Sequence, residues 1–202
     1  MCVIADSTVS GDGSPALKTA IFGGTFNPLH NGHLHLAASV CAELGYGRVV
    51  FVPTHIPPHK EVTQLASGSH RLAMLRLAIS GQSAFAVDSC ELDRGGVSYT
   101  IDTVRQFNGN SGRLGVIIGD DLVADYGSWR KAPELAIEAD LIIGLRHGDS
   151  APLPFPHRIV RNVRLPISSE LIRDRLRAGL AVDHLTPAKV VRHILSEGLY
   201  RA

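Results

Sequence analysis

The chain is short of cysteine, of excess charge and of long apolar runs, and each shortage removes a class of explanation. Cys2, Cys41 and Cys90 stand far apart and in no C-x-x-C spacing. That excludes a disulfide framework and points to a reducing compartment, the cytoplasm. Twenty basic residues against nineteen acidic ones leave a net charge of +1, so no broad surface for nucleic acid or membrane is expected. Residues 1–17 carry Asp6 and Asp12, with no basic stretch and no long apolar run. They are expected to be a flexible tail rather than a signal peptide or membrane anchor. Residues 18–202 suit a single domain in a chain that is 45% hydrophobic. What is plentiful is histidine. There are ten, and His30, His33, His35, His55 and His59 fall within thirty residues, so chemistry is to be sought there first.

The pattern along the chain alternates between two periods. Ala20, Ile21 and Phe22 read as a buried strand that stops at Gly23-Gly24. From His33 the apolar residues Leu34, Ala37, Ala38, Cys41 and Leu44 recur at helical spacing until Gly45, and residues 48–52 read as a second strand. Strand, glycine turn, helix and strand make one crossover unit of a parallel sheet. Residues 53–65 are a loop rich in proline and histidine. Helices are predicted over 71–79, 100–107 and 133–139, and strands over 85–87, 114–118 and 141–145. Residues 158–165 read as a half-exposed edge strand, with Ile159, Val163 and Leu165 sharing one parity. A helix follows over 171–180, and another starts at Thr186-Pro187 with the threonine as cap. The predicted architecture is a doubly wound α/β fold, mostly parallel, with a small C-terminal helical part from about residue 166. Ligands are expected at the carboxyl ends of its strands.

Gly23-Gly24 follows a strand and precedes a helix, yet neither G-x-G-x-x-G nor G-x-x-x-x-G-K-S/T is present. Instead His30-x-Gly32-His33 opens the helix. Residues three apart share a helix face, and Gly32 is read as leaving space between the two imidazoles. With the amides of the helix N-terminus, such donors suit phosphate oxygens that gain charge during transfer. Two other readings stand beside this one: histidines that merely cap the helix, and a metal site formed with His35.

The stretch from Gly23 to His33 resembles the G-G-T/S-F-D/N-P-x-H-x-G-H signature of the nucleotidyltransferase superfamily. Four later segments resemble bacterial nicotinate-nucleotide adenylyltransferases: Pro53-Thr54-His55-Ile56-Pro57-Pro58-His59-Lys60; Glu91-Leu92 with Ser98-Tyr99-Thr100-x-x-Thr103; Gly119-x-Asp121 with Trp129; and Ser168-Ser169 with Ile172-Arg173-x-Arg175-Leu176. The resemblance implies joining of nicotinate mononucleotide to the AMP part of ATP, with Mg2+, to give deamido-NAD and pyrophosphate. It implies catalytic roles for His30, His33 and Arg173. Ligand contacts are implied from Gly23, Gly24, Thr25, Phe26, His59, Lys60, Thr100, Gly119, Asp121, Trp129, Ser168 and Ser169. No metal-binding side chains are implied, and whether the protein is a monomer or a homo-oligomer stays open.

Each of these residues also has a plainer reading: a solvated lysine, a surface histidine, a core tryptophan, a helix-start carboxylate or an arginine on an amphipathic helix. Glu170 departs from the pattern, standing where the family has threonine or serine, and a carboxylate facing polyphosphate would repel it. Carboxamide-preferring or dual-specificity enzymes, pantetheine-phosphate adenylyltransferase and a catalytically weakened nucleotide-binding homologue are the alternatives.

Overall fold

The computed structural model describes residues 17–57, 65–111, 113–145, 153–161 and 165–201. The strands β1 (Thr19–Gly24), β2 (Arg48–Pro53), β3 (Phe85–Val87), β4 (Leu114–Gly119), β5 (Ala139–Leu145) and β6 (His157–Arg161) form one sheet. Its order is β3-β2-β1-β4-β5-β6, and every neighbouring pair is parallel. The helices are α1 (Asn31–Leu44), α2 (Gly68–Ile79), α3 (Cys90–Arg94), α4 (Thr100–Ser111), α5 (Ala132–Glu138), α6 (Ser169–Arg177) and α7 (Ala188–Ser196).

The two-residue period of the strands sorts the core into two layers. Ala20, Phe22, Val49, Phe51, Ile117, Ile142 and Val160 pack with α1, α2 and α7 on one face, through residues such as Val40, Leu75 and Ile194. Their neighbours Ile21, Val50, Val52, Val116, Ile118 and Ile143 pack with α4 and α5 on the other. The fold is the doubly wound one read from the sequence. A third cluster, Ile172, Val182, Leu185 and Val191, joins α6 to α7. No helix among the described residues is long and apolar enough to cross a membrane.

Several local expectations change. The edge strand β6 is described only to Arg161; Val160 is buried and Ile159 is 45% exposed, the reverse of the predicted parity. Among the described residues the core layer that includes α1 covers one face of β6, and Val160 points there. Residues 90–94 form a short helix that was not predicted. Asp121 lies in a single 3-10 turn, Asp120–Leu122, rather than an α-helix. The helix predicted over 171–180 runs instead from Ser169 to Arg177. Helix α7 begins after Pro187, and Thr186 is not its cap. The tail expected over residues 1–17 lies outside the described residues except for Leu17.

Two glycines let α1 and its following turn lie close to the sheet. A Cβ on Gly115 would stand 2.7 Å from the Tyr46 ring, and one on Gly144 would stand 2.5 Å from Leu36. Tyr46 is fully enclosed and cannot swing aside. Gly115→Ala should therefore cost about 1–3 kcal/mol through overpacking, measured as a lower urea midpoint with an unchanged m-value.

Candidate active site

The strand order reverses between β1 and β4, and at such a switch point an open α/β sheet presents its ligand crevice. Continuing the register that pairs Ala20 with Gly115 puts Gly24 level with Gly119. A side chain at Gly23 would meet nothing within 4 Å, so the crevice is open there. Gly24 is fixed by its carbonyl, which accepts from the Thr54 N–H at 2.9 Å, and it lies against the Phe26 ring. Phe26 takes a left-handed φ of +48°, costly for a bulky residue. Its ring is held edge-on by Phe22, Phe51 and His33.

Residues 26–30 are buried although they belong to neither strand nor helix. The Asn27–Pro28 peptide is cis, and this segment makes few backbone bonds of its own, so its carbonyls need other donors. Four carbonyls between Thr25 and Leu29 find one from far along the chain. Arg71 Nη1 donates to Thr25 O at 2.9 Å, and Arg173 Nη1 to Asn27 O at 2.8 Å. Ser169 Oγ donates to Pro28 O at 2.8 Å, and Thr186 Oγ1 to Leu29 O at 2.7 Å. The Asn27 side chain is held too: its Oδ1 accepts from the Tyr200 hydroxyl at 2.7 Å and from the Ala66 N–H at 3.1 Å.

This loop delivers the two histidines. His30 takes the N-cap position of α1, and its backbone N–H donates to Nδ1 of His33 at 3.2 Å. With Nδ1 accepting, the neutral His33 ring carries its proton on Nε2, which becomes a donor. The rings stack with centroids 3.7 Å apart, so no open space lies between them. Gly32 serves a different purpose, because a Cβ there would press within 3.0 Å of His30 Nδ1. The helix amides are less free than expected: Asn31 N–H donates to Leu185 O at 2.9 Å and His33 N–H to His30 O at 3.0 Å.

The opening of α6 likewise differs from a free anion site. Ser168 Oγ caps Leu171 N–H at 3.0 Å, and the Ser169 hydroxyl is spent on Pro28. Arg173 keeps a buried Nε with no partner, so part of its guanidinium is uncommitted. Glu170 is exposed.

The opposite wall joins two of the later motifs. Arg130 lies over the Tyr99 ring, 4.6 Å from its centre, and 3.6 Å from Asp102. It ties the start of α4, with Thr100, to Trp129. The Trp129 ring is half-buried, tilted against Tyr126 at 5.3 Å, and its Nε1 is enclosed without a partner. Glu91 is buried and accepts from Thr103 Oγ1 at 2.6 Å, fastening α3 to α4. His55 and Ile56 join this element through Ser98 and Gly96, with His55 N–H donating to Ser98 Oγ at 3.0 Å. Gly119 ends β4, and Asp120 and Asp121 begin the 3-10 turn that follows it. His59 and Lys60 lie outside the described residues. A groove of about 580 Å³ between α6 and α7, lined by Leu180, Val182 and Leu195, includes none of these residues.

Sequence reasoning missed Asn27, Arg71, Thr186 and Tyr200. For Arg71 a signal was present, because it opens the buried stripe of α2 that continues with Met74, Leu75 and Ala78, and a cation at i of an i, i+3, i+4, i+7 apolar stripe is out of place. Thr186 was read only as a cap.

Known proteins resemble this chain in sequence and in fold. A Treponema pallidum protein named as a probable nicotinate-nucleotide adenylyltransferase is 37% identical over 204 residues, covering 92% of this chain and all of the relative. A Geobacillus thermodenitrificans protein of the same name is 40% identical over 188 residues, covering 92% of this chain and 87% of the relative. Among solved structures, Plasmodium falciparum nicotinic acid mononucleotide adenylyltransferase complexed with NaAD superposes with a TM-score of 0.75. It is 19% identical, covering 91% of this chain and 97% of that one, a likeness of fold. The doubly wound parallel sheet, with two stacked histidines opening the helix after β1, places the chain among the α/β proteins. The chain belongs to the cytidylyltransferase-like family, matched over residues 21–175, and within it to the nicotinate-nucleotide adenylyltransferases.

Burial pushes the Tyr200 hydroxyl well above the usual phenol range, against the opposing pull of Arg173 and Arg71. A raised folded value means stability that is intact below the ordinary value of 10.0 and lost as pH rises beyond it. The urea midpoint should therefore fall between about pH 10 and 12, and Tyr200→Phe should flatten part of that fall while lowering the midpoint at neutral pH.

Proposed function

We propose that this protein transfers the adenylyl group of ATP to nicotinate mononucleotide, forming deamido-NAD and pyrophosphate. The observation that carries the reading is the stacked His30–His33 pair, set at the switch point on a loop whose carbonyls are fixed from outside. The relatives named for this activity support the same acceptor.

In the proposed step a phosphate oxygen of nicotinate mononucleotide forms a bond to the α-phosphorus of ATP. The bond from that phosphorus to the oxygen bridging the β-phosphate breaks, and its electron pair leaves with pyrophosphate. The enzyme contributes position and charge, with no covalent intermediate. His33, donating through Nε2, and His30 stabilise the oxygens as charge grows on them. Gly23, Gly24, Thr25 and Phe26 let backbone approach the nucleotide, and the uncommitted part of Arg173, with Ser168, faces the β- and γ-phosphates. Gly119 and Asp121 lie on the side suited to ribose, and Thr100 and Trp129 receive the pyridine ring. Lys60 and His59 complete the phosphate contacts.

Among the described residues no group of three His, Cys, Asp or Glu side chains could hold a metal ion. Mg2+ enters with ATP as the MgATP substrate, neutralising part of the polyphosphate charge. We place the reaction in the cytoplasm, in keeping with the unpaired cysteine pattern.

The test is pyrophosphate release from MgATP with nicotinate mononucleotide, nicotinamide mononucleotide or phosphopantetheine as acceptor. Nicotinate mononucleotide should give the highest kcat/KM, and no release with it would overturn the reading. His33→Ala should lower kcat by about 10²–10³-fold with an unchanged circular dichroism spectrum.

A further inference from the structure

Arg71 is the largest fully buried side chain among the described residues, 1% exposed, on the inner face of α2. Burying a guanidinium carries a large desolvation cost, and without a counter-charge nothing electrostatic offsets it. Its hydrogen-bond partners are two carbonyl oxygens, Thr25 O at 2.9 Å and Ala66 O at 3.1 Å, and it makes no ion pair among the described residues. The nearby ionisable group is the neutral Tyr200 hydroxyl, and burial depresses the tendency of Arg71 to hold its proton. A buried cation without a carboxylate leaves a positive field in a medium that screens it weakly.

The position of that field is specific. Arg71 draws the Thr25 carbonyl toward itself, and across a trans peptide the Phe26 N–H points the opposite way. Polarising one end of a peptide also strengthens the donor at its other end. The same guanidinium therefore fixes the turn that leads from Gly23-Gly24 to His30.

We propose that Arg71 is a positioning residue for polyphosphate: a buried, carboxylate-free cation that orients the Thr25–Phe26 peptide and makes the Gly23–His33 loop selective for a highly anionic ligand. This rests on the adenylyl-transfer reading only for the identity of the nucleotide, because the charge argument applies to any linear polyphosphate.

Calorimetric titration of the full chain with inorganic tripolyphosphate, ATP and adenosine separates the possibilities. Arg71→Gln should weaken tripolyphosphate and ATP about tenfold or more, about 1.4 kcal/mol, and leave adenosine within about twofold, since adenosine carries no charge. Arg71→Lys, which keeps the charge and can still donate to Thr25 O while losing the bond to Ala66 O, should bind tripolyphosphate within about threefold of the parent. Tripolyphosphate affinity unchanged in Arg71→Gln, or adenosine weakening in step with ATP, would overturn the proposal. If Arg71→Gln does not fold, Arg71→Lys decides: near-parent affinity supports the proposal and a tenfold loss overturns it. A parent protein that binds tripolyphosphate but not ATP would sink the adenylyl-transfer reading and leave the Arg71 comparison standing, whereas one that binds neither would overturn both.

Discussion

Everything at the crevice depends on how four carbonyl groups are satisfied. The chain between β1 and α1 is buried yet outside regular structure, so Thr25, Asn27, Pro28 and Leu29 cannot rely on a ladder or a helix for their oxygens. Arg71, Arg173, Ser169 and Thr186 supply the donors. A hydrogen bond of this kind contributes about 1 kcal/mol net, but leaving a buried carbonyl unmet costs about 1–3 kcal/mol. The four bonds are thus less a source of stability than a condition on where the loop can lie. They come from α2, α6 and the segment before α7, so the C-terminal helices belong to the site even where no side chain of theirs need meet a ligand.

The sheet supplies the rigid reference for that loop. Parallel pairing buries both faces, and alternate residues of each strand serve separate helical layers. Gly115 and Gly144 mark where the layer holding α1 comes closest to the strands. Because α1 is seated in this way, the imidazoles at its first turn have little freedom. Their stack is then set by the helix axis and by the His30 N–H bond to His33.

Much of the architecture was legible in the sequence. Helices α1 and α2 carry apolar residues at helical spacing, whereas strands β1 to β5 show as short apolar runs bounded by turn residues. The edge strand misled because Ile159 and Val160 are equally apolar, and only the coverage of one face decides which turns inward. The five-residue helix α3 is too short to show a period. At the site, the glycines, His30, His33 and the later motifs were visible because their residue types are unusual at those spacings. Thr186 and Tyr200 were not, since their partners lie 157 and 173 positions away and nothing in local sequence announces a bond across such a distance; Arg71 stands out only as a cation in an apolar stripe, with its partner 46 positions away unannounced. Ser169 and Arg173 were seen as ligand contacts, whereas the structure also spends them on the loop.

The bond between the Tyr200 hydroxyl and Asn27 spans 173 positions, and that separation has a consequence in time. Contacts so distant in sequence form late, because the entropy of closing the intervening chain must first be overcome. During synthesis the first strand and its glycine turn emerge early and must wait, incomplete, until residue 200 has left the ribosome. A polypeptide arrested before that point can build most of its sheet but lacks the hydroxyl that fixes the Asn27 side chain.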